Sequence, residues 1–202
     1  MSYLRSEHEK AAYHRVYYPG TDVYVNKLGI RDAAELEKVE REFTSERAEQ
    51  GFPRSATFRT YDGFRAIHRH LFRDLYSWAG KERKYTTGRG SIPFAVPEHI
   101  GPWMREQFNA LARDRYLVGL DLDAFAVAAA KYVNEINAGH PFIDGNGRTQ
   151  RFWLRMLANN AGSDLTLTER DGKRWNEASR LGFMRSDHTA MAKFLRRRLK
   201  PL

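Results

Sequence analysis

Hydrophobic residues recur at helical spacing along most of the chain. Asp32 can cap a helix in which apolar residues at positions 33, 36, 39, 43 and 48 share one face, and Gly51-Phe52-Pro53 breaks the pattern. The same spacing predicts helices over residues 62–78, 97–116, 121–136, 147–160 and 175–199, the last broken near residues 182–187. The pattern therefore predicts an all-α protein.

One stretch departs from this pattern. Residues 80–97, GKERKYTTGRGSIPFAVP, contain three glycines, two prolines and the β-prone side chains of Tyr85, Ile92 and Phe94. They predict two short strands around a turn at residues 88–91. Because an isolated hairpin is only marginally stable in water, we expect it to lie on the helices or to pair with a partner.

The composition limits the classes of protein that the chain can represent. With 202 residues, 42% of them hydrophobic, it can bury one substantial core, and it shows no repeat or linker. We therefore predict a single domain over residues 1–202. The absence of cysteine excludes disulfide scaffolds, thiolate zinc sites and cysteine nucleophiles.

No segment has the character of a membrane span or a signal peptide. The longest apolar run covers residues 124–130, whereas a spanning helix needs about 18 apolar residues. The first residues, MSYLRSEHEKAAY, carry charges where a signal peptide has its apolar centre. We therefore expect a cytoplasmic protein without a membrane partner.

The net charge of +9 favours partners that carry phosphate or acidic groups. Part of the excess lies in the run Arg196-Arg197-Arg198-Leu199-Lys200, which is more often a solvated helix end than a nucleic-acid contact. A basic, non-catalytic nucleic-acid-binding module remains an alternative, although we expect no direct nucleic-acid contact.

The candidate chemistry lies in residues 140–151, HPFIDGNGRTQR, a loop followed by the start of a helix. Gly145 and Gly147 remove side chains where the backbone turns, so that amides can converge on an anion at the helix N-terminus. Two arginines three residues apart could bind a polyphosphate, and a histidine and a carboxylate precede them. Together these groups are typical of phosphoryl or nucleotidyl transfer.

Each of these residues also has a purely structural interpretation. A histidine before proline is usually a turn residue, and Asp-Gly and Asn-Gly are common turn dipeptides. Arginines in the first turns of a helix usually face solvent. The occurrence of all these features within twelve residues favours the functional interpretation.

The segment matches the signature of the Fic (Fido) family, HPFx[D/E]GN[G/K]RxxR, at every defined position. Residues 67–72, 76–80 and 92–95 resemble the segments that lead into the flap hairpin of that family. Residues 18–22 and 26–30 resemble the start of its short bacterial toxins, which a separate antitoxin silences. The resemblance implies a Fic-fold helical bundle with a small β-hairpin flap, a core at about residues 60–200 and an N-terminal helical extension at residues 1–59.

The resemblance implies a protein adenylyltransferase, which transfers AMP from ATP to a Tyr, Thr or Ser hydroxyl of a target protein. It implies that His140 is the general base and that Asp144 holds Mg²⁺. The phosphate-binding residues that it implies are Asp144, Gly145, Asn146, Gly147, Arg148 and Arg151, with Arg151 toward the γ-phosphate.

The resemblance also implies a target-docking flap and an adenine pocket. The flap residues are Thr86, Thr87, Gly88, Arg89, Ile92 and Phe94, and they would pair with the extended backbone of the target. Arg174 and Trp175 are candidates for the adenine pocket, although Trp175 fits the core better. Gly147 favours AMP transfer, because kinase-like relatives carry lysine there; donors such as UMP or phosphocholine remain alternatives.

The inhibitory motif [S/T]xxxE[G/N] of many Fic proteins is absent from the sequence. Its nearest approximation, Ser45 to Glu49, is followed by Gln50 inside a helix. We therefore expect a small antitoxin protein to supply the inhibitory glutamate to Arg151. Without that glutamate, removal of AMP from a target is disfavoured. By analogy with toxin-like relatives, the expected targets are the ATPase subunits of DNA gyrase and topoisomerase IV.

Overall fold

The computed structural model describes residues 3–202, and residue 169 by its backbone alone. In this part of the chain, eight α-helices account for most of the regular structure, which confirms the predicted all-α class. Their bounds are α1 Glu7–His14, α2 Ala33–Glu49, α3 Tyr61–Phe72, α4 Pro97–Arg113, α5 Leu122–Gly139, α6 Asn146–Asn160, α7 Gly172–Arg185 and α8 Thr189–Arg196.

Helix α5 lies at the centre of the bundle and packs against α4, α6, α7 and α8. Asp121 caps it, as its side chain accepts a hydrogen bond from the amide of Ala124 at 2.8 Å. Alanines on α5 let its neighbours approach closely, while larger side chains fill the core between the helices. Its buried residues include Phe125, Ala126, Ala129, Ala130, Tyr132, Val133 and Ile136.

Helix α3 supplies the second wall of the core and supports the loop that follows α5. The ring of Phe64 stacks on that of Phe142 at a centroid distance of 5.7 Å, and Phe64 also contacts an aromatic ring of α4 and one of α6. Trp153 of α6 is fully buried and donates its indole N–H to the carbonyl of Phe58 at 3.0 Å. The loop at residues 140–145 therefore rests on a rigid aromatic base.

Several helix ends differ from the sequence-based prediction. The helix predicted over residues 62–78 ends at Phe72, because the buried side chains of Leu75, Tyr76 and Trp78 belong to a turn segment. Apolar spacing alone does not separate a buried turn from another helical turn. The break predicted near residues 182–187 in the C-terminal helix is confirmed: α7 ends before Ser186, which adopts φ 52°, and α8 follows. The apolar spacing did not predict helix α1, which lies in the N-terminal region that the family resemblance described as helical.

A second small sheet was also not predicted. Strands β3 (Ser163–Leu165) and β4 (Leu199–Pro201) pair antiparallel, with Asp164 opposite Lys200. The basic run before β4 is not simply solvated: Arg198 pairs with Asp171 and lies over the ring of Phe194 at 3.9 Å. These strands are too short for a period-two pattern to identify them.

The predicted hairpin is present. Strands β1 (Gly88–Arg89) and β2 (Ile92–Pro93) pair antiparallel around the two-residue turn Gly90-Ser91, tighter than the four-residue turn that the sequence predicted. We call residues 86–94 the flap. It lies on the helices, as expected, because Phe94 packs against Phe183 of α7. None of the described helices has the length and apolar character that crossing a membrane requires.

Candidate active site

His140 is the C-terminal cap of α5 and occupies the left-handed region of the backbone map, with φ 40° and ψ 61°. Such a conformation is strained for a residue other than glycine and directs the chain sharply into the following loop. The imidazole stacks on the ring of Phe94, at a centroid distance of 4.0 Å and an angle of 4°. Helix end and flap therefore meet at this histidine.

The imidazole of His140 is neutral at physiological pH in this structure. Burial lowers its pKa to about 3, and the nearby positive charges of Arg83 and Arg89 contribute in the same direction. The ring nitrogen Nδ1 is buried and has no hydrogen-bond partner among the described residues. A neutral imidazole can accept a proton, which is the requirement for a general base.

Two residues fix the loop between α5 and α6. Gly145 adopts φ 76°, and a Cβ atom there would collide with the ring of Phe72, so no other residue fits. The side chain of Asn146 accepts a hydrogen bond from the amide of Phe142 at 3.0 Å and donates one to its carbonyl at 2.9 Å. The side chain of Asn146 therefore holds the loop, and only its backbone amide can take part in an anion site.

The N-terminus of α6 has free amides and open space. No side chain in the described part of the chain caps this helix, and its first amides have no partner within the helix. Gly147 lies inside the first turn of α6 rather than at a backbone turn, which differs from the prediction. A Cβ atom at Gly147 would have no neighbour closer than 3.6 Å. The absence of a side chain there leaves room above the amides for an anion.

Arg148 and Arg151 lie on the first two turns of α6 in different surroundings. Arg148 pairs with Glu40 of α2 at 2.6 Å and lies 4.6 Å from the ring centroid of Phe72. Arg151 lies 5.9 Å from the ring centroid of Trp175. Burial lowers the pKa of Arg151, and the charge of Arg148 lowers it further. Two cations that repel each other beside free amides suit a polyanionic ligand.

Asp144 precedes this helix and faces a cleft of about 160 Å³. One oxygen of its carboxylate accepts a hydrogen bond from the amide of Gly145 at 2.6 Å. The cleft is also lined by Tyr24, Glu40 and Tyr76. Within residues 3–202 there is no cluster of three or more metal-ligating side chains. Asp144 could therefore hold a cation only together with oxygens of a ligand, which is the usual mode for Mg²⁺.

The flap residues predicted from the sequence are not equally accessible. The Thr86 side chain is buried and bonded to Glu9 at 2.9 Å and to Arg5 at 3.1 Å. The carbonyl of Thr87 accepts a hydrogen bond from the amide of Phe94 at 2.9 Å, which closes the hairpin. Gly88, Arg89 and Ile92 lie in the two strands and are partly exposed. The accessible surface of the flap is therefore its strand pair and the turn between the strands.

The two candidates for the adenine pocket differ in solvent exposure. Trp175 is 1% exposed and packs edge-on against Phe194, so it belongs to the core as well as to the surroundings of Arg151. Arg174, its neighbour on α7, is exposed. The ring of Trp175 lies beside Arg151 of the motif.

Sequence reasoning missed three residues that position the motif: Glu40, His68 and Arg83. His68 is fully buried, accepts a hydrogen bond from the amide of Gly80 at 2.8 Å and donates one to the carbonyl of Asp144 at 2.9 Å. Burial lowers its pKa to about 3, which keeps the neutral tautomer that these bonds require. Its place on the apolar face of α3 was a signal in the sequence.

Comparisons with known proteins agree on one family. The sequence model of the Fic/DOC family matches residues 58–158, half of the chain. "Probable protein adenylyltransferase y4lH" of Sinorhizobium fredii is 40% identical over 80% of this chain and 83% of its own length. "Probable protein adenylyltransferase Fic" of Escherichia coli is 36% identical over 86% of both chains.

A solved structure shares the fold. The crystal structure of BepC, a VirB-translocated effector of Bartonella tribocorum with bound AMPPNP, matches with a TM-score of 0.86. The match covers 98% of this chain and all of that one, at 23% identity. The helical bundle with its flap is therefore the architecture of a known group of structures.

Proposed function

We infer that this chain, which belongs to the Fic/DOC family, is a protein adenylyltransferase that transfers AMP from ATP to a hydroxyl side chain of a target protein. The observation that carries this conclusion is the contact of His140 with the flap. A neutral imidazole stacked on Phe94 lies where a peptide docked on the hairpin would present its side chains.

In the proposed reaction, transfer of the hydroxyl proton accompanies the attack on the α-phosphorus of ATP. His140 accepts the proton of the target hydroxyl, whose oxygen attacks the α-phosphorus of ATP. The bond from that phosphorus to the bridging oxygen breaks, and pyrophosphate leaves. Bound triphosphate adds negative charge beside the imidazole, which raises the pKa of His140 from its low value and strengthens it as a base.

The N-terminus of α6 is suited to hold the phosphates. Its free amides and the positive end of the helix dipole favour anions, and Arg151 and Arg148 add two positive charges. These groups stabilise the charge that develops on the phosphate oxygens during transfer. The AMPPNP bound to BepC supports an adenine nucleotide as the donor.

We propose Mg²⁺ as the cation of the reaction. The carboxylate of Asp144 fits this ion, because Mg²⁺ binds through one or two carboxylates and the phosphates of the substrate. When bound, the cation neutralises phosphate charge. One oxygen of the Asp144 carboxylate accepts a hydrogen bond from the amide of Gly145, so the carboxylate is oriented before any ligand binds.

Labelling with α-³²P-ATP in a bacterial lysate tests the proposed activity. We expect covalent label on a protein with the wild-type chain and with His99→Ala, whose histidine is exposed on α4, but not with His140→Ala. Label from UTP but not from ATP would change the donor. No label from any nucleotide, with retained salt-sensitive DNA binding, would favour the non-catalytic binding module.

We further propose that the targets are cytoplasmic ATPase subunits of DNA gyrase or topoisomerase IV and that an antitoxin silences the enzyme. The support is the resemblance to short bacterial Fic toxins and the absence of an inhibitory motif in the sequence. Mass spectrometry of the labelled band tests the target. For the antitoxin, a small protein should co-purify with the wild-type chain and should bind Arg151→Ala more weakly. Absence of such a protein, with harmless expression, would contradict it.

A further inference from the structure

Arg83 is a buried cation whose donors all bind backbone carbonyl groups. Its side chain is 1% exposed. Its guanidinium donates to the carbonyl of His140 at 2.7 Å, to that of Tyr85 at 2.7 Å, to that of Gly139 at 3.3 Å and to that of Ala95. Within residues 3–202, no carboxylate pairs with it. An arginine buried in this way is unusual, because buried charges are normally paired.

The end of helix α5 explains why the charge is tolerated. Gly139 is the last residue of α5 and His140 is its cap, so their carbonyls lie at the negative end of the helix dipole. Burial lowers the pKa of Arg83 to about 10, and the group therefore stays protonated at neutral pH. Its planar fork can satisfy several carbonyls at once, which a lysine ammonium does not match.

These bonds join two segments that are far apart in the sequence. Gly139 and His140 belong to the end of α5, whereas Tyr85 and Ala95 immediately flank the flap at its two ends. Two backbone bonds reinforce the junction: the amide of Arg83 donates to Pro141 at 2.8 Å, and the amide of Ala95 donates to Ala138 at 3.0 Å. The side chain of Arg83 therefore holds His140 and both ends of the flap in fixed relative positions.

We propose that Arg83 is a positioning residue, which holds the left-handed backbone of His140 and both ends of the flap so that a docked hydroxyl meets the imidazole. This inference rests on the proposed function, since it assigns how the target and the base are aligned. The hydrogen bonds of the Arg83 guanidinium all go to backbone carbonyls, so this residue need touch neither the nucleotide nor the target.

The position of Arg83 predicts a separation between nucleotide binding and transfer. The amides of α6, Arg148 and Arg151 do not depend on Arg83 for any hydrogen bond. In Arg83→Lys a hydrogen-bond donor remains, but one amino group cannot span the four carbonyls. Because a misplacement of about 1 Å can cost about 100-fold in rate, we expect kcat to fall about 100-fold while the Kd for AMPPNP stays within threefold.

The experiment compares the full wild-type chain with Arg83→Lys and Arg198→Lys. Arg198 is the matched control: it is also largely buried and bonds a backbone carbonyl, that of Phe194 at 3.0 Å, but it lies beside β4. AMPPNP affinity is measured by calorimetry, transfer with α-³²P-ATP, and stability by thermal melting. We expect Arg198→Lys to lose melting temperature and keep transfer within threefold. Transfer by Arg83→Lys within threefold of wild type would overturn the proposal.

A second readout does not depend on transfer. Amide hydrogen exchange at Ala95 and His140 should become at least about tenfold faster in Arg83→Lys and not in Arg198→Lys. If the wild-type chain transfers no nucleotide, the proposed function fails, while this exchange still decides whether Arg83 joins flap and base. If the lysine variant does not fold, Arg83→Met, which buries no charge, takes its place in both measurements. Unchanged exchange would contradict the inference.

Discussion

The loop at residues 140–147 and the flap at residues 86–94 lie against each other but are built differently. The loop is fixed by side chains from elsewhere in the molecule: His68 binds the carbonyl of Asp144, Arg83 binds that of His140, and Phe72 leaves space only for Gly145. The flap has two registered residue pairs around a two-residue turn. Its tip is contacted by Tyr3, whose hydroxyl donates to the carbonyl of Gly90.

Under the proposed function, this difference separates the part that carries out the chemistry from the part that recognises the target. Groups that stabilise a transition state must be arranged before the reaction, so buried bonds that fix the loop serve catalysis directly. A strand pair with a free edge can add a strand from a partner, so it is suited to recognise an extended peptide. The groups that fix the loop are hydrogen-bonded. In contrast, the buried Nη1 of Arg89 in the flap has no hydrogen-bond partner among the described residues.

Removal of the base should have the largest effect. We expect His140→Ala to lower transfer about 1000-fold, since general base catalysis contributes factors of about 100 to 10,000. The loss of stacking on Phe94 should shift the melting temperature by only about 2–4 °C. Labelling and thermal melting measure the two effects, with the exposed His99→Ala as the control. Transfer retained at a tenth of the wild-type rate would remove the base assignment.

Acid should loosen the loop through His68. Its pKa is about 3 in the folded protein and about 6.5 when unfolded, so the unfolded chain binds a proton between these values and the folded one does not. The contribution of His68 to stability is thus complete above pH 6.5 and declines as pH falls. From pH 6.5 to 4.5 we expect a loss of about 2 kcal/mol.

Denaturant unfolding of wild type and His68→Gln at both pH values tests this assignment. The variant cannot take up the proton and should lose less stability between pH 6.5 and 4.5, although it is less stable at pH 6.5. An equal loss in both proteins would show that other groups cause the acid sensitivity.

Removal of the charge that orients Arg148 should have an intermediate effect on the transfer rate. Glu40 and Arg148 form a largely buried pair, and Tyr76 donates its hydroxyl to the same carboxylate. We expect Glu40→Gln to lower the transfer rate about tenfold, because the guanidinium loses a charged partner that orients it. Glu42→Gln, on the same helix but exposed and outside the cleft of Asp144, is the control. A faster reaction would instead mean that Glu40 withholds Arg148 from the nucleotide.

A change in the flap should have the smallest effect and should act on the target alone. In Gly88→Ala the added Cβ would collide with the carbonyl of Ile92, so the strand pair must shift. We expect the KM for the target protein to rise about fivefold, with AMPPNP affinity unchanged. Ser91→Ala, exposed in the turn, should leave both constants unaltered. A weakened AMPPNP affinity in Gly88→Ala would contradict the separation of recognition and chemistry.

Local features of the molecule could be predicted from the sequence. The apolar spacing predicted α2, α4, α5 and α6 to within a few residues, because each buries one face. Glycine and proline predicted the hairpin. The twelve-residue motif identified the Fic family, which the family model and the relatives confirm. The toxin type and the roles of the motif residues stay predictions.

The side chains that hold the site in place could not be predicted from the sequence in the same way. His68 reaches the carbonyl of Asp144 across 76 positions of the chain, Arg83 reaches His140 across 57, and Glu40 reaches Arg148 from α2. The pairing of β3 with β4 likewise joins distant segments. Periodicity reports only on neighbours within an element, so contacts between elements leave no regular trace in it. The sequence by itself determined which groups are present for the chemistry, and the tertiary structure decided which buried side chains hold them in place.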